Sequence, residues 1–372
     1  MQKPVVLLID NSISFTGAFK CALQQAELLK DSYEYIFLVP AESNLTRLLE
    51  SKKIRYYTLP LLEIKKSGSA LIRYVPRLLQ NIRHLKRIVK KEAVDIVIMN
   101  DFYNLTGIGL KWSGWKGKLV TYVRLLPSAV PKPLREAWVR LAMRYADRII
   151  TVSDAVLKQL PSHKKIKRIY DPVFFTEKHP VVQLDGTTRL LYLSNYIKGK
   201  GQEYALAAFQ LAHQINNSLR LCFAGGDMGL EKNKAFKESL REKVRQDGLE
   251  GSVSFLSYVS DVEEVIKKSH IVLNFSEAES FSMTCAEASF YGLPVIATKC
   301  GGPEEIIVDG QTGLLVDNRN VEQMSEAILR LSSSKEMCVE FSKNGRELVR
   351  QKFHPVHFRN QLENVLSSLV SK

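Results

Sequence analysis

"EAESFSMTCAEASFYGLPVIAT" (residues 277–298) sets two glutamates, Glu279 and Glu287, eight positions apart in small and apolar company. Before it, "IVLNFSEAES" reads as a buried strand running into a polar loop, and within it "FSMTCAEASFYGLP" begins a helix that Gly-Leu-Pro stops. In open α/β sheets ligands lie outside the carboxyl ends of the strands. This order therefore delivers Glu279 to a crevice edge and puts Glu287 about two turns into the helix. The helix start, Phe281 to Thr284, turns backbone N–H groups and the positive end of the macrodipole toward an anion such as a phosphate. A carboxylate deeper on the same face suits a vicinal diol, whose two hydroxyls donate to its two oxygens. Anion and diol together describe a nucleotide sugar. An isolated pair at this spacing reads as well as a loop residue and a solvated helix-face residue, so spacing alone decides little.

Working outward, short β-branched runs alternate with helical patterns, the signature of βαβ units and parallel sheets. Strands are expected at 5–9, 35–39, 54–59, 95–99, 118–123 and 148–152, then at 189–193, 219–224, 253–256, 271–275 and 294–298. The fold class is α/β, with two doubly wound Rossmann-like domains. Between them, 165–189 lacks helical periodicity and is rich in turn residues. The expected division is a first domain at 1–172, a linker at 173–187, a second domain at 188–352, and a C-terminal helix at 353–372 returning to the first domain.

A chain of 372 residues exceeds what one hydrophobic core usually serves, in keeping with two domains. The five cysteines stand singly without a CxxC, which fits a reducing compartment and opposes both a disulfide framework and a zinc site. The start offers only a five-residue apolar run, Val5 to Ile9, too short for a signal segment or a membrane span, so a cytoplasmic location is expected. Charge is uneven. Residues 1–180 hold 31 Lys+Arg against 15 Asp+Glu, and the remainder holds 22 against 24.

The wider pattern around the two glutamates resembles the retaining nucleotide-sugar glycosyltransferases of family four, which have the GT-B architecture of two Rossmann-like domains facing a cleft. The residues that carry the resemblance are Ser276, Glu279, Ser280, Phe281, Ser282, Glu287, Ala288, Gly292 and "PVIAT" (294–298), matched without a gap to the family's E-x7-E region. "CGGPEEIIVDGQTGLLV" (300–316) and "ADRIITVSDAVLKQL" (146–160) are similar to two further family segments. The resemblance implies that Glu287 holds the ribose hydroxyls, that Glu279 contacts the donor sugar, and that the N–H groups of Ser282, Met283 and Thr284, beside Phe281, cradle the distal phosphate.

No D-x-D motif occurs, so no metal and no other cofactor is implied, and cationic side chains must neutralise the diphosphate. The family supplies an Arg and a Lys from R-x4-K-G. "NYIKGKG" (195–201) keeps Lys200 and Gly201, but Asn195 stands where the Arg would be, with Lys198 as a substitute. The glycine pair in "FAGGD" (223–227) would let Gly225 approach the nucleotide. In the first half, "NSISFTGAFKCAL" (11–23) is similar to the family's glycine-rich loop reduced to Gly17, whose amide would lie near the diphosphate. The family's sugar-contacting histidine is missing. Arg124, in "VTYVRLLPSA", stands in or beside its slot, and Asp101 is a candidate acceptor contact or a helix N-cap.

"KKSGSALIRYVPRLLQNIRHLKRIVKK" (65–91) carries nine Lys/Arg and no acid along a helical apolar stripe. Such a helix either lies on an anionic membrane surface or packs its stripe on a sheet beneath a solvated basic face. Nucleic acid is not indicated, because no interleaved aromatic platform accompanies the charge. The reading is a metal-independent retaining glycosyltransferase. It would move a sugar from a UDP, GDP or ADP donor to a saccharide or glycolipid acceptor in surface polysaccharide or glycolipid assembly, peripherally on the cytoplasmic face of the membrane. Two rivals stand beside it: a nucleotide-sugar epimerase of similar architecture, and a non-catalytic nucleotide-sugar-binding protein.

Overall fold

Runs of Val, Ile and Leu without polar alternation form strands buried on both faces, as parallel sheets covered by helices require. The structure, a computed structural model, describes residues 2–61, 68–174, 186–256 and 262–370. Most of the anticipated linker and the first residues of the basic segment, 65–67, lie outside the described residues. Backbone contacts divide the chain into two compact units, 1–172 with 355–372 and 173–354.

In unit 1, β1 (Val5–Ile9), β2 (Glu34–Pro40), β3 (Tyr56–Leu59), β4 (Ile96–Met99), β5 (Lys118–Val123), β6 (Arg148–Thr151) and β7 (Ile166–Arg168) form one parallel sheet. Its order is β3-β2-β1-β4-β5-β6-β7, so the direction of winding reverses between β1 and β4. The connecting helices are α1 (Gly17–Leu28), α2 (Thr46–Ser51), α3 (Gly68–Lys91), α4 (Thr106–Trp112), α5 (Lys132–Tyr145) and α6 (Asp154–Leu157). The C-terminal half of α3 buries Ile82, Leu85, Ile88 and Val89, so there the apolar stripe does pack.

Unit 2 repeats the plan with β8 (Thr188–Leu193), β9 (Leu219–Ala224), β10 (Val253–Leu256), β11 (Ile271–Asn274), β12 (Val295–Thr298) and β13 (Gly313–Val316). The order β10-β9-β8-β11-β12-β13 reverses between β8 and β11. Its helices are α7 (Gln202–Ile215), α8 (Glu231–Gln246), α9 (Val262–Lys267), α10 (Met283–Phe290), α11 (Val321–Ser332) and α12 (Lys335–Lys352). An aromatic core of Tyr192, Tyr196, Phe209, Phe223 and Phe275 fills the space between the β8 side of the sheet and α7. The last helix, α13 (Pro355–Val370), belongs to unit 1, where Leu362 and Leu366 are fully buried and Ser32 donates to Glu363 at 2.5 Å.

Three local features differ from the pattern reading. Strand β7 is only "IKR", an edge strand with one buried side chain, too short and polar to register as a run. Strand β13 opens on Gly313, where an added Cβ would meet the Val295 carbonyl oxygen at 2.4 Å, so close strand approach replaces the β-branched residue a run would show. Helix α10 starts at Met283, which puts Glu287 about one turn in, not two.

Gly201 caps the start of α7 in the left-handed region (φ +79°), and a Cβ there would lie 2.0 Å from the Phe275 carbonyl oxygen. Gly201→Ala therefore combines backbone strain with a collision against main chain, and should cost more than about 1 kcal/mol, read as a lowered melting temperature. Leu362→Ala should cost about 2–5 kcal/mol of unit 1 stability through the cavity it leaves. All three tryptophans, Trp112, Trp115 and Trp138, lie in unit 1, so a urea titration followed by tryptophan fluorescence reads this directly. An unchanged midpoint would show that α13 contributes nothing there.

Candidate active site

The carboxyl ends of β8 and β11 flank the reversal in unit 2, and a loop leaves each of them. Tyr192, at the end of β8, holds these loops together. Its buried hydroxyl donates to the Lys200 carbonyl at 2.5 Å and accepts the Phe275 N–H at 2.9 Å. Burial pushes this phenol well above the ordinary tyrosine range, so it remains a neutral donor. Gly201, pressed on Phe275, removes the side chain that would hold the loops apart.

This packing brings Lys200 to Glu279. Lys200 Nζ donates to Glu279 Oε1 at 2.7 Å, and Ser276 Oγ donates to the same oxygen at 2.8 Å. Neither partner is sealed from solvent, with side-chain exposures of 32% for Lys200 and 15% for Glu279. The Glu279 backbone is stitched to the loop after β12: its N–H donates to the Cys300 carbonyl at 3.1 Å, and its carbonyl accepts from Gly302 N–H at 2.8 Å. Thr298 Oγ1 donates to the Ser276 carbonyl at 2.6 Å, fixing the other end of the loop. On the outer side, Glu277 accepts from Tyr204 at 2.9 Å and from Arg319 at 2.7 Å. The Arg319 hydrogen bond, then burial working the other way, then Tyr204 leave the Glu277 carboxyl below its ordinary value.

The start of α10 follows directly. Ser282 is its N-cap at φ +82°, and its Oγ accepts from Asn274 Nδ2 at 3.0 Å and from Cys285 N–H at 3.4 Å. Thr284 Oγ1 donates to the Leu193 carbonyl at 3.2 Å, so that hydroxyl serves the fold. Phe281 is buried edge-on against Phe353, with ring centroids 5.1 Å apart, and turns no side chain to a ligand. Met283 and Glu287 are partly exposed on the first turns. At the far end Arg346 donates to the Phe290 and Tyr291 carbonyls at 3.1 and 3.2 Å, satisfying the helix C-terminus. Cys300 is in the core beneath the loop, where burial pushes its thiol up to about 12.

The departures from the family pattern have local explanations. Asn195 Oδ1 accepts the Gly226 N–H at 3.2 Å, so the residue in the Arg position binds the glycine pair instead of offering a charge. Gly225 is required by packing, since a Cβ there would lie 1.9 Å from the Ser194 carbonyl oxygen. Lys198 is exposed on the same loop.

In unit 1, Gly17 is the exposed first residue of α1, whose N-cap Thr16 accepts from Phe19 N–H at 3.1 Å. Arg124 is not open to a ligand. It is 5% exposed, its Nη1 donates to both Asp171 oxygens at 2.8 and 2.6 Å, and its Nε donates to Asn100 Oδ1 at 2.7 Å. Burial works against the charge, but Asp171 outweighs it and raises the guanidinium further. Removing one partner from such a pair costs about 3–5 kcal/mol, so these contacts give Arg124 a structural part in unit 1. Asp101 is partly exposed in the turn after β4, and the N–H at the start of α4, that of Thr106, is taken by Asn104 Oδ1 at 2.9 Å, not by Asp101. Pattern reading missed Tyr192, Glu277 and Gly302. Only Gly302, in the Gly-Gly pair after β12, left a signal in the sequence.

Two family models match end to end: "Glycosyltransferase Family 4" over residues 17–173 and "Glycosyl transferases group 1" over 174–348. Among curated proteins, the alpha-1,3/1,6-mannosyltransferase ALG2 of Dictyostelium discoideum is 29% identical over 202 residues, 50% of this chain and 47% of that protein. The N-acetyl-alpha-D-glucosaminyl L-malate synthase of Bacillus anthracis is 24% identical over 243 residues, 61% of each. The chain thus spans about half the length of the first of these relatives. The solved structure of Anabaena HepE in complex with UDP and glucose superposes with a TM-score of 0.82 at 22% identity, covering 98% of this chain and 99% of that one. Two linked family models and a shared fold lead to one conclusion: the chain belongs to the GT-B glycosyltransferases of the group 1 and family 4 type.

Proposed function

We propose that this protein is a retaining glycosyltransferase that moves a hexosyl unit from a nucleoside diphosphate to a saccharide or lipid-linked saccharide, with side chains and not a metal neutralising the diphosphate. The observation that carries the reading is the Lys200–Glu279 pair, held at 2.7 Å where the winding reverses and followed directly by the start of α10. A uridine nucleotide is the first donor to test, since the similar Anabaena protein holds UDP and glucose.

In this mechanism the ribose diol donates to Glu287, and the distal phosphate meets the Ser282–Thr284 end of α10 and the Lys200 ammonium. Glu279 orients the sugar and keeps Lys200 aimed at the leaving group. The anomeric C–O bond to phosphate breaks as a bond to the acceptor oxygen forms on the same face. The acceptor proton passes to the departing phosphate oxygen, so no separate base is required. Charge developing on the diphosphate is the costly element, and a fixed cation with helix N–H groups is what stabilises it.

Membrane association belongs to the same proposal. Exposed Arg83, Lys86 and Arg87 face away from the buried stripe of α3, and among the described residues no helix is long and apolar enough to cross a membrane. Acceptor and enzyme would then meet at a bilayer surface.

Lys200→Ala should lower kcat by about 10²–10³ with UDP-sugar and acceptor, measured as UDP released. Glu287→Gln should weaken UDP binding about tenfold or more, through lost hydrogen bonds to a charged acceptor. Unchanged turnover in Lys200→Ala would refute the role given to Lys200, no UDP release from the parent protein would refute the enzyme, and isomerised sugar without acceptor would indicate an epimerase. Replacing Arg83, Lys86 and Arg87 together by Gln should weaken binding to phosphatidylglycerol-containing vesicles by a factor on the order of 100, in a salt-sensitive manner, by co-sedimentation.

A further inference from the structure

Helix α5 buries Trp138, edge-on to Phe102, and Ala142, which leaves the face at positions 135, 136, 139, 140 and 143 partly or fully exposed. That face forms one wall of a groove of about 720 Å³, closed on the other side by Gln159 and Pro161 after α6. Gln159 is fixed there by accepting the Ser128 N–H at 2.8 Å. Its lining is apolar at Val139, Met143 and Pro161, basic at Arg135 and Arg140, and acidic at Glu136. Among the described residues neither guanidinium has a carboxylate partner, and the acid beside them, Glu136, is 4.0 Å from Lys132. With two guanidiniums against one carboxylate the groove keeps a positive surplus beside its apolar lining, which matches an anion joined to a hydrocarbon chain.

The surroundings agree with that occupant. Helices α3, α4 and α5 pack side by side, and this layer exposes Val75 (52%), Leu79 (44%) and Trp112 (73%), apolar side chains that a bilayer interface would accept. We infer that the α5 groove is a discrete binding site for one anionic lipid, its phosphate held by Arg135 and Arg140 and its chain lying on Val139, Met143 and Pro161. The site is separate from the charge of α3, and it does not depend on the glycosyl-transfer reading.

Dodecyl phosphate below its micellar concentration is the probe, titrated into the full chain by calorimetry. One equivalent should bind saturably, with inorganic phosphate and dodecyltrimethylammonium each at least tenfold weaker. Arg135→Gln with Arg140→Gln should weaken dodecyl phosphate at least tenfold, and so should Val139→Asp, with melting temperatures near that of the parent. The Arg83, Lys86 and Arg87 triple Gln variant should bind as the parent does. Inorganic phosphate matching the alkyl phosphate, parental affinity in the double variant, or an equal loss in the α3 variant would each overturn the site. No nucleotide sugar enters the assay, so its failure and failure of the enzymatic reading are read apart.

Discussion

The buried hydroxyl of Tyr192 bridges the two loops that carry the proposed chemistry, donating to one main chain and accepting from the other. A loop lysine and a loop glutamate are ordinarily mobile, and their attraction at an open surface is worth little. Here the main chain on each side is anchored by Tyr192, Gly201 and Thr298, beside the Lys200–Glu279 contact. The ion pair is therefore not alone in holding the two loops together. Its value lies in orientation, since a cation already aimed needs little reorganisation when charge develops beside it.

Unit 1 uses buried charge differently. Asp10, Asn100, Arg124 and Asp171 follow β1, β4, β5 and β7, with Asp10, Asn100 and Asp171 buried and the Arg124 side chain 5% exposed, and they link across the sheet edge through side chains. The guanidinium also lies 4.6 Å from the ring centroid of Tyr122, stacked on apolar surface as arginine permits. The carboxyl edge that in unit 2 leads into the Lys200–Glu279 loops is, at these positions of unit 1, cross-braced.

Much of this was legible in the residues. The strands at 5–9 and 118–123 coincide with their runs, because a strand buried on both faces must be almost continuously apolar. Helix α10 was bounded by the Gly-Leu-Pro stop and by the polar loop before it. Three things were hidden for physical reasons. Edge strand β7 needs one buried side chain and so leaves no run. Tyr192 looks like any core aromatic until its hydroxyl's partners, Lys200 and Phe275, are known to be neighbours. Arg124 looked like a candidate ligand contact because its partner, Asp171, is 47 positions away in sequence.

The Arg124–Asp171 clamp has a mechanical consequence. Asp171 is the penultimate residue of the first stretch of unit 1, and the three-residue β7 just before it is the sheet's edge. Tension on the outgoing chain would ordinarily fray so short an edge strand, one hydrogen bond at a time. With Asp171 gripped by a side chain rooted at the end of β5, a pull is carried to the middle of the sheet, and β7 is spared from peeling.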